Sequence, residues 1–201
     1  MITLHGISLS FGNKNIITDF SCHINKHEKV VIQGQSGSGK SSIIKSIMGL
    51  VSYTGTIHIN NTLLNSDTIR ELRSHIFYAH QNIHFHEGTV RETIEYIGSF
   101  AANNADLEPQ KINEMLETCN LAPDILDQPI ESVSGGEKQR IGIGIGILLE
   151  KPIWILDEPL SGLDINNKYH IMHILEHITA TMLIVSHDTE WNNDFFTKIT
   201  I

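Results

Sequence analysis

Apolar and polar residues alternate in several short stretches near the start of the chain. Apolar residues recur at every second or third position in 2–7 and again in 20–24, and a polar turn follows at 25–28. This alternation is typical of strands that bury one face. Two more stretches of the same kind, 56–59 and 76–79, extend the pattern. The first third of the chain is therefore predicted to be rich in β-strands.

The middle of the chain shows a helical repeat instead. Between residues 90 and 119, apolar residues recur three or four positions apart, with a polar break at 103–108. That spacing places apolar side chains on one face of a helix and predicts two helices. A third helix is predicted over 136–149. Together the three helices form a predicted helical insertion at about 82–150.

The last quarter of the chain returns to strands that alternate with helices. Apolar runs at 153–156 and 181–185 predict buried strands, and residues 165–178 between them predict a helix. A final strand is predicted near Ile199. This order is typical of an α/β fold with a parallel sheet.

A glycine-rich loop joins the apolar run 29–32 to a predicted helix over 42–50. Its residues are Gly34, Gln35, Ser36, Gly37, Ser38, Gly39, Lys40 and Ser41. They form a complete P-loop, whose backbone N–H groups surround phosphates at the N-terminus of a helix. Lys40 is expected to contact the β- and γ-phosphates, and the Ser41 hydroxyl is expected to bind Mg²⁺. The loop predicts binding of a nucleoside triphosphate.

Composition narrows the class of protein. The chain has 201 residues, of which 40% are hydrophobic, and this suits one globular domain. A formal charge of −9 argues against broad binding to nucleic acid or anionic lipid. The longest apolar run, 141–149, is much shorter than the roughly 20 residues of a membrane-spanning helix, so membrane contact is expected only through a partner. Cys22 and Cys119 are expected to be reduced thiols in a cytoplasmic protein.

Two acidic residues follow the strand predicted over 153–156. In a P-loop fold, the first acid at the end of a strand, here Asp157, lies near the metal and can hold Mg²⁺. The second, Glu158, could orient or deprotonate the attacking water. Taken alone, the pair would be explained equally well by a solvated acidic turn.

Three further motifs accompany this acidic pair. They are Ser134-Gly135-Gly136-Glu137-Lys138-Gln139-Arg140, Ser161-Gly162-Leu163-Asp164 and Val185-Ser186-His187-Asp188. With the P-loop and the acidic pair, their order and spacing resemble the nucleotide-binding domain of ATP-binding cassette (ABC) proteins over nearly the whole chain. The resemblance implies a P-loop NTPase core with an N-terminal antiparallel β subdomain and an inserted helical subdomain, in a single ATP-binding domain of residues 1–201.

The resemblance also implies which residues act on the phosphates. Asp157 matches the Walker B aspartate, and Glu158 matches the catalytic glutamate that follows it. Gln81 matches the Q-loop glutamine, which contacts Mg²⁺ and communicates with the membrane partner. His187 matches the switch histidine at the γ-phosphate, and Lys40 completes the implied catalytic set.

The remaining implied residues hold the nucleotide. Phe11 lies where the family places an aromatic ring that stacks on adenine, and Ser42 extends the P-loop. Residues of the opposite subunit are implied to complete the site across a dimer, and these are Ser134, Gly135 and Gly136 of the signature loop and Asp164 of the D-loop.

The function implied is that of the ATP-binding and hydrolysing subunit of a multi-component ABC transporter. Two cassettes, identical or different, would bind two ATP with Mg²⁺ in a head-to-tail dimer. They would dock on separate transmembrane permease subunits, on the cytoplasmic face of the cell membrane. A soluble ABC ATPase without transport, such as an assembly factor, has the same motifs and stays open as an alternative. A P-loop kinase for small molecules would leave the signature loop, the D-loop and His187 unexplained.

The sequence departs from the family pattern in the signature motif, where Val133 is a mild change from leucine, and in the helix that follows, where Gly144-Ile145-Gly146 stand in place of the common Ala-Arg-Ala. Glu137 stands where the family usually has glutamine, which suits the helix dipole but puts a negative charge close to a polyphosphate. Gly142, Gly144 and Gly146 together lower the helix propensity of the next segment by roughly 3 kcal/mol against alanine. Either this helix is softer than usual, or its glycines permit close packing.

Twelve histidines raise the question of a metal site. His170, His173 and His177 share one face of a predicted helix, but a solvated or packed face is favoured over a zinc site. His84 and His86 closely follow Gln81 and fit either contact with a partner or a plain surface loop.

Overall fold

The computed structural model describes residues 1–81, 85, 87–103, 105, 107–191 and 194–201. His84, His86 and the first residue of the predicted insertion, at 82, lie outside the described residues. In chain order, the elements are β1 (Ile2–Phe11), β2 (Lys14–Ile24), β3 (Lys29–Gln33), α1 (Lys40–Ile47), β4 (Thr54–Ile59), β5 (Thr62–Leu63), α2 (Ile69–Ser74), β6 (Ile76–Ala79), α3 (Val90–Gly98), α4 (Pro109–Thr118), α5 (Gly135–Leu149), β7 (Ile153–Asp157), α6 (Ile165–His177), β8 (Thr181–Ser186) and β9 (Thr197–Thr200). Two 3₁₀ turns, Pro123–Asp127 and Ile130–Ser132, lead into α5.

The chain folds into two compact units. The first unit comprises Met1–Tyr78, Pro152–Glu158 and Thr179–Ile201. The second unit comprises Ala79–Lys151 and Pro159–Ile178. The first unit holds the P-loop and the acidic pair, and the second holds the signature loop and the D-loop.

An antiparallel sheet forms the N-terminal part of the first unit, with strand order β2-β1-β4-β5. Ile2 of β1 pairs with Ile24 on one side and with Ile59 on the other, and all three side chains are fully buried. The alternation read from the sequence thus puts one apolar face of this sheet into the core. This confirms the predicted antiparallel β subdomain.

A mainly apolar second sheet, of order β6-β7-β8-β3-β9, carries the functional loops. Every residue of β7 and β8 is buried, as expected for strands covered on both faces. Strand β3 is parallel to β8, with Gln33 beside Ser186, and β7 is parallel to β8, with Asp157 beside Val185. The loops after β3, β7 and β8 therefore leave the same edge of the sheet, where ligands bind in open α/β sheets.

Helices α4 and α5 pack closely within the second unit. A Cβ on Gly144 of α5 would clash with Met115 Sδ and lie 3.3 Å from Cys119 Sγ, both of them atoms of buried side chains at or just after the end of α4. At Gly144, the glycine therefore permits close helix packing. Arg140 of α5 also donates to the backbone carbonyls of Cys119 and Asn120, which ties the two helices together.

The predicted helices and strands are confirmed, with small shifts at their ends. Strand β2 begins at Lys14, before the predicted start at 20, and α6 ends at His177. Two short elements, β5 and α2, were missed because β5 has only two residues and α2 has only two apolar residues among six. Within the described part of the chain, no helix has both the length and the hydropathy needed to cross a membrane.

Candidate nucleotide-binding site

The P-loop turns sharply between β3 and α1. Gly37 and Gly39 adopt φ values of +83° and +97°, in the left-handed region that favours glycine. Ser38 N–H donates to the Gln35 carbonyl at 3.1 Å, which closes the turn. The Ser38 hydroxyl oxygen is buried and has no hydrogen-bond partner among the described residues. A buried polar group of this kind fits a loop that binds a phosphate oxygen.

Lys40 and Ser42 extend the loop into α1. The Lys40 ammonium donates to the carbonyl oxygens of Gly34 and Gln35 at 2.8 and 2.9 Å, so it lies over the mouth of the loop. The N–H of Ser42 donates to the Gly39 carbonyl at 2.9 Å, which starts the first helical turn. The positive end of α1 and the lysine charge therefore lie beside the same loop.

Ser41 and Asp157 come together as the sequence predicts. The Ser41 hydroxyl donates to Asp157 Oδ1 at 3.1 Å, although 116 positions separate the two residues. Asp157 ends β7 and is buried, with 2% of its surface exposed. A hydroxyl and a buried carboxylate at the mouth of a P-loop are oxygen donors of the kind that Mg²⁺ prefers. The residues present fit the metal that the resemblance implies.

Glu158 has a strained backbone and a constrained carboxylate. Its φ is +53°, which is unusual for a residue other than glycine, and its N–H donates to the Val185 carbonyl at 2.8 Å. The His187 Nδ1–H donates to Glu158 Oε1 at 2.8 Å, because an ionised carboxylate can only accept. Backbone strain of this kind clusters at functional sites.

Ser186 is a member of this cluster to which the sequence assigned no role. Its hydroxyl lies 3.2 Å from Glu158 Oε2, and the His187 N–H donates to the same oxygen at 3.2 Å. Asp188 N–H donates to the Ser186 hydroxyl, and Gln33 Nε2 donates to the Asp188 carbonyl. One signal in the sequence could have indicated this role: Ser186 is a polar residue at the end of the mainly apolar strand β8, directly before His187. The Ser186 contacts hold the Glu158 carboxylate in one orientation.

The signature loop forms a separate feature, within the second unit. A cleft of about 510 Å³ is lined by the start of α5 and the start of α6, with Ser134, Gly135 and Gly136 on one side and Gly162, Leu163 and Asp164 on the other. Two helix N-termini therefore open into one cleft, and their N–H groups favour an anion, while the Glu137 and Asp164 carboxylates and the Arg140 guanidinium also line it.

Glu137 caps the helix that carries the signature loop. Ser134 N–H donates to Glu137 Oε2 at 3.0 Å, and the Ser134 hydroxyl lies 2.5 Å from the same oxygen. Glu137 N–H donates back to the Ser134 hydroxyl at 3.3 Å, which completes a capping box. The side-chain and backbone hydrogen bonds from Ser134 lower the pKa of Glu137. Glu137 is therefore charged at neutral pH, at the edge of the cleft.

Asp164 caps α6 on the other side of the cleft. Its carboxylate accepts from Asn167 N–H at 2.9 Å and from the Asn167 side-chain amide at 2.6 Å. The backbone hydrogen bond from Asn167 is the main cause that lowers the pKa of Asp164. In the same unit, the buried Gln139 donates to the Pro159 carbonyl at 2.9 Å, which ties α5 to the segment before the D-loop.

Two predicted site residues, Phe11 and Gln81, have exposed side chains. Phe11 ends β1, pairs with Lys14 across the hairpin and is 54% exposed. Gln81 is exposed, lies just after β6 and belongs to the second unit. Their contacts with adenine and with Mg²⁺ stay predictions.

Comparison with known proteins places the chain in a family. Residues 17–161 match the model of the family described as ABC transporter. An ABC transporter ATP-binding protein of Photobacterium profundum is 34% identical over 197 residues, which cover 94% of this chain and 35% of that protein. The ergothioneine transport ATP-binding protein EgtV of Helicobacter pylori is 28% identical over 204 residues, which cover 98% of this chain and 95% of EgtV. The chain spans about a third to a half of the length of several other curated relatives.

A solved structure supports the fold. A dimeric ATP-binding cassette in a post-hydrolysis state, bound to ADP and Pi, superposes with a TM-score of 0.80 at 24% identity, over 94% of this chain and 89% of that one. At this identity the likeness shows the fold alone, a P-loop NTPase-like α/β cassette. With the match to the family model over most of its length, the nucleotide-binding domain described here belongs to the ABC transporter family.

Proposed function

We propose that this chain is the ATP-hydrolysing subunit of an ABC transporter. The observation that carries the proposal is the cluster at one edge of the parallel sheet. There, the Ser41 hydroxyl contacts Asp157, and the next residue, Glu158, is held by His187 and Ser186. Phosphoryl transfer requires charge neutralisation, an oriented water and a general base, and this cluster offers groups for each. Residues 1–201 are proposed to act as one ATP-binding domain.

In this proposal, the P-loop binds the phosphates of ATP. Its N–H groups and the Lys40 ammonium neutralise phosphate charge, and Phe11 offers an exposed ring for adenine. Ser41, Asp157 and Gln81 would hold Mg²⁺. When bound, Mg²⁺ would supply positive charge that neutralises the phosphates.

Glu158 acts as the general base. A water oxygen forms a bond to the γ-phosphorus while the bond between that phosphorus and the ADP oxygen breaks, and Glu158 accepts the proton that the water loses. The contacts from Ser186 and His187 keep the carboxylate in place for this transfer. His187 is 58% exposed at its side chain, so it can also reach a bound γ-phosphate.

The signature loop serves a second copy of a cassette. The cleft between the starts of α5 and α6 offers two helix N-termini and the Arg140 guanidinium to a phosphate, and it is built from the second unit alone. A head-to-tail dimer with an identical or related cassette would place each cleft on the ATP held by the opposite P-loop. The related fold bound to ADP and Pi is described as dimeric, which supports this arrangement.

The partner in transport is a transmembrane permease. Relatives are named as ATP-binding proteins of transporters, and one of them is named for ergothioneine. We place this chain at the cytoplasmic face of a membrane, bound through the permease. The permease would select the transported substrate.

Capture of the tagged chain from its own cells in mild detergent tests the proposal. Mass spectrometry of the co-purifying chains is expected to find a stoichiometric protein with several membrane spans. A chain that is absent from the membrane fraction and co-purifies only with proteins lacking such spans would contradict the transport role. It would favour a non-transport ABC ATPase instead.

A further inference from the structure

A cluster of metal-ligand side chains lies on the last turns of α6. His173, Glu176 and His177 each offer one ligand atom, and these three atoms all lie within 4.8 Å of one another. Spacings of three and four positions place Glu176 and His177 each beside His173 on the helix surface. His173 Nδ1 lies 3.6 Å from Glu176 Oε2, and the two imidazole centroids are 4.4 Å apart.

The orientation of His177 suits a metal ligand. Its Nδ1–H donates to the His173 carbonyl at 2.8 Å, because a carbonyl oxygen can only accept. The proton therefore resides on Nδ1, and the lone pair on Nε2 is available to a cation. Metal-binding histidines in proteins commonly donate their other ring N–H to a backbone carbonyl or a carboxylate in this way.

The structure changes the set of histidines that the sequence brought together. His170 Nε2 bonds to the Thr118 carbonyl at 2.8 Å, so His170 packs against the end of α4 as the sequence favoured. Glu176 takes the third place instead, with only 13% of its side chain exposed. A carboxylate between two imidazoles changes the cluster from a row of histidines into a mixed nitrogen and oxygen donor set.

We propose that His173, Glu176 and His177 bind a divalent cation of the zinc class, with water completing its coordination. Two imidazoles and one carboxylate are a donor set that Zn²⁺ takes in three-ligand sites. His177 is the last residue of α6, and the negative end of the helix dipole there favours a cation. The exposed imidazole of His173 leaves the site accessible from solvent. The cation would join two turns of the helix and hold its C-terminal end in place. This site is independent of the proposed ATPase activity.

Titration of the full, untagged chain with zinc chloride tests the site, by calorimetry and without nucleotide. One zinc ion per chain is expected at this site. Replacing a ligand is expected to weaken binding at least about tenfold in His173→Ala and in His177→Ala. His170→Ala is the matched control on the same helix and is expected to bind as the unaltered chain does. A double variant at His84 and His86 is a second control with the same expectation.

Amide hydrogen exchange in the last turn of α6 distinguishes this site from non-specific binding of zinc to other histidines, which would not slow exchange there. Zinc is expected to slow exchange at 174–178 in the unaltered chain and not in Glu176→Gln or His177→Ala. An unaltered chain that binds no zinc would overturn the proposal. So would His173→Ala and His177→Ala variants that bind zinc as tightly as the His170→Ala control.

Discussion

Replacing Glu137 with glutamine tests whether the Glu137 carboxylate repels a phosphate bound at the signature loop. The Ser134 hydroxyl lies 2.5 Å from Glu137 Oε2. A phosphate oxygen that accepts from the same hydroxyl at about 2.7 Å would therefore lie within about 5 Å of that carboxylate. Glutamine removes the negative charge but keeps an oxygen that accepts from Ser134 N–H, so the capping box is retained. The free energy of unfolding is expected to fall by only about 0.3–1 kcal/mol, because a negative charge at the start of the helix is lost.

The free energy gained by removing the Glu137 charge follows from its distance to the phosphate. Two unit charges about 5 Å apart in water repel by about 0.8 kcal/mol, and physiological salt lowers this to about 0.4 kcal/mol. For a terminal phosphate of about −2, relief of the repulsion amounts to about 1 kcal/mol per site. A dimer with two such sites is stabilised by about 2 kcal/mol, or roughly 30-fold in its dissociation constant.

Analytical ultracentrifugation with ATP measures the effect in a Glu158→Gln background, where ATP is not consumed. Glu137→Gln is expected to lower the dimer dissociation constant roughly 30-fold, and less at high salt. The matched control is Glu92→Gln, because Glu92 forms the other capping box, with Thr89, in α3. An unchanged constant in Glu137→Gln, or the same gain in Glu92→Gln, would refute the reasoning. Absence of an ATP-dependent dimer in every variant would instead contradict the proposed dimer.

Three further predictions follow from the packing and the charges. Burial raises the pKa of Cys119 to about 12, so its thiol is expected to resist iodoacetamide at neutral pH until the chain unfolds, as mass spectrometry of the labelled chain would show. Gly144→Leu is expected to cost about 1–3 kcal/mol of stability in urea unfolding, because its side chain would displace Met115; an unchanged midpoint would contradict the close packing. The Asn167 backbone N–H lowers the folded-state pKa of Asp164, so its contribution to stability is present above the unfolded-state pKa of about 3.9 and is lost as pH falls through the folded-state pKa. Melting temperatures of the unaltered chain and of Asp164→Asn are expected to converge over that acidic range, and a constant difference would argue against this linkage.

Local sequence patterns were sufficient to predict much of the fold and the P-loop. Apolar runs predicted β7 and β8, and the glycines predicted the loop before Lys40. Both kinds of signal lie within a few consecutive residues, so the sequence shows them directly. The contact between the Ser41 hydroxyl and Asp157 joins distant segments, and it was expected only because the chemistry of P-loop folds assigns both residues to the same Mg²⁺.

Other features could not be read from the sequence. The role of Ser186 at Glu158 depends on strand register, and the close packing at Gly144 depends on the angle between two helices. From the sequence, α5 could have been either softer than usual or closely packed at its glycines. The cluster on α6 contains Glu176 and lacks His170, because His170 bonds to the Thr118 carbonyl at the end of α4. The sequence alone does not show that contact. These are contacts between segments, which local periodicity does not encode.

ATP binding and phosphate release by Glu158→Gln, measured beside the unaltered chain, test whether Glu158 is the general base of ATP hydrolysis. Both proteins are expected to bind ATP with similar affinity, because the P-loop is intact in each. The unaltered chain is expected to release inorganic phosphate and the variant almost none, because the base that accepts the water proton is gone. The measurement is best made on the complex captured from the membrane and repeated on the purified chain. A variant that turns ATP over at the unaltered rate would contradict the role of Glu158 as the base.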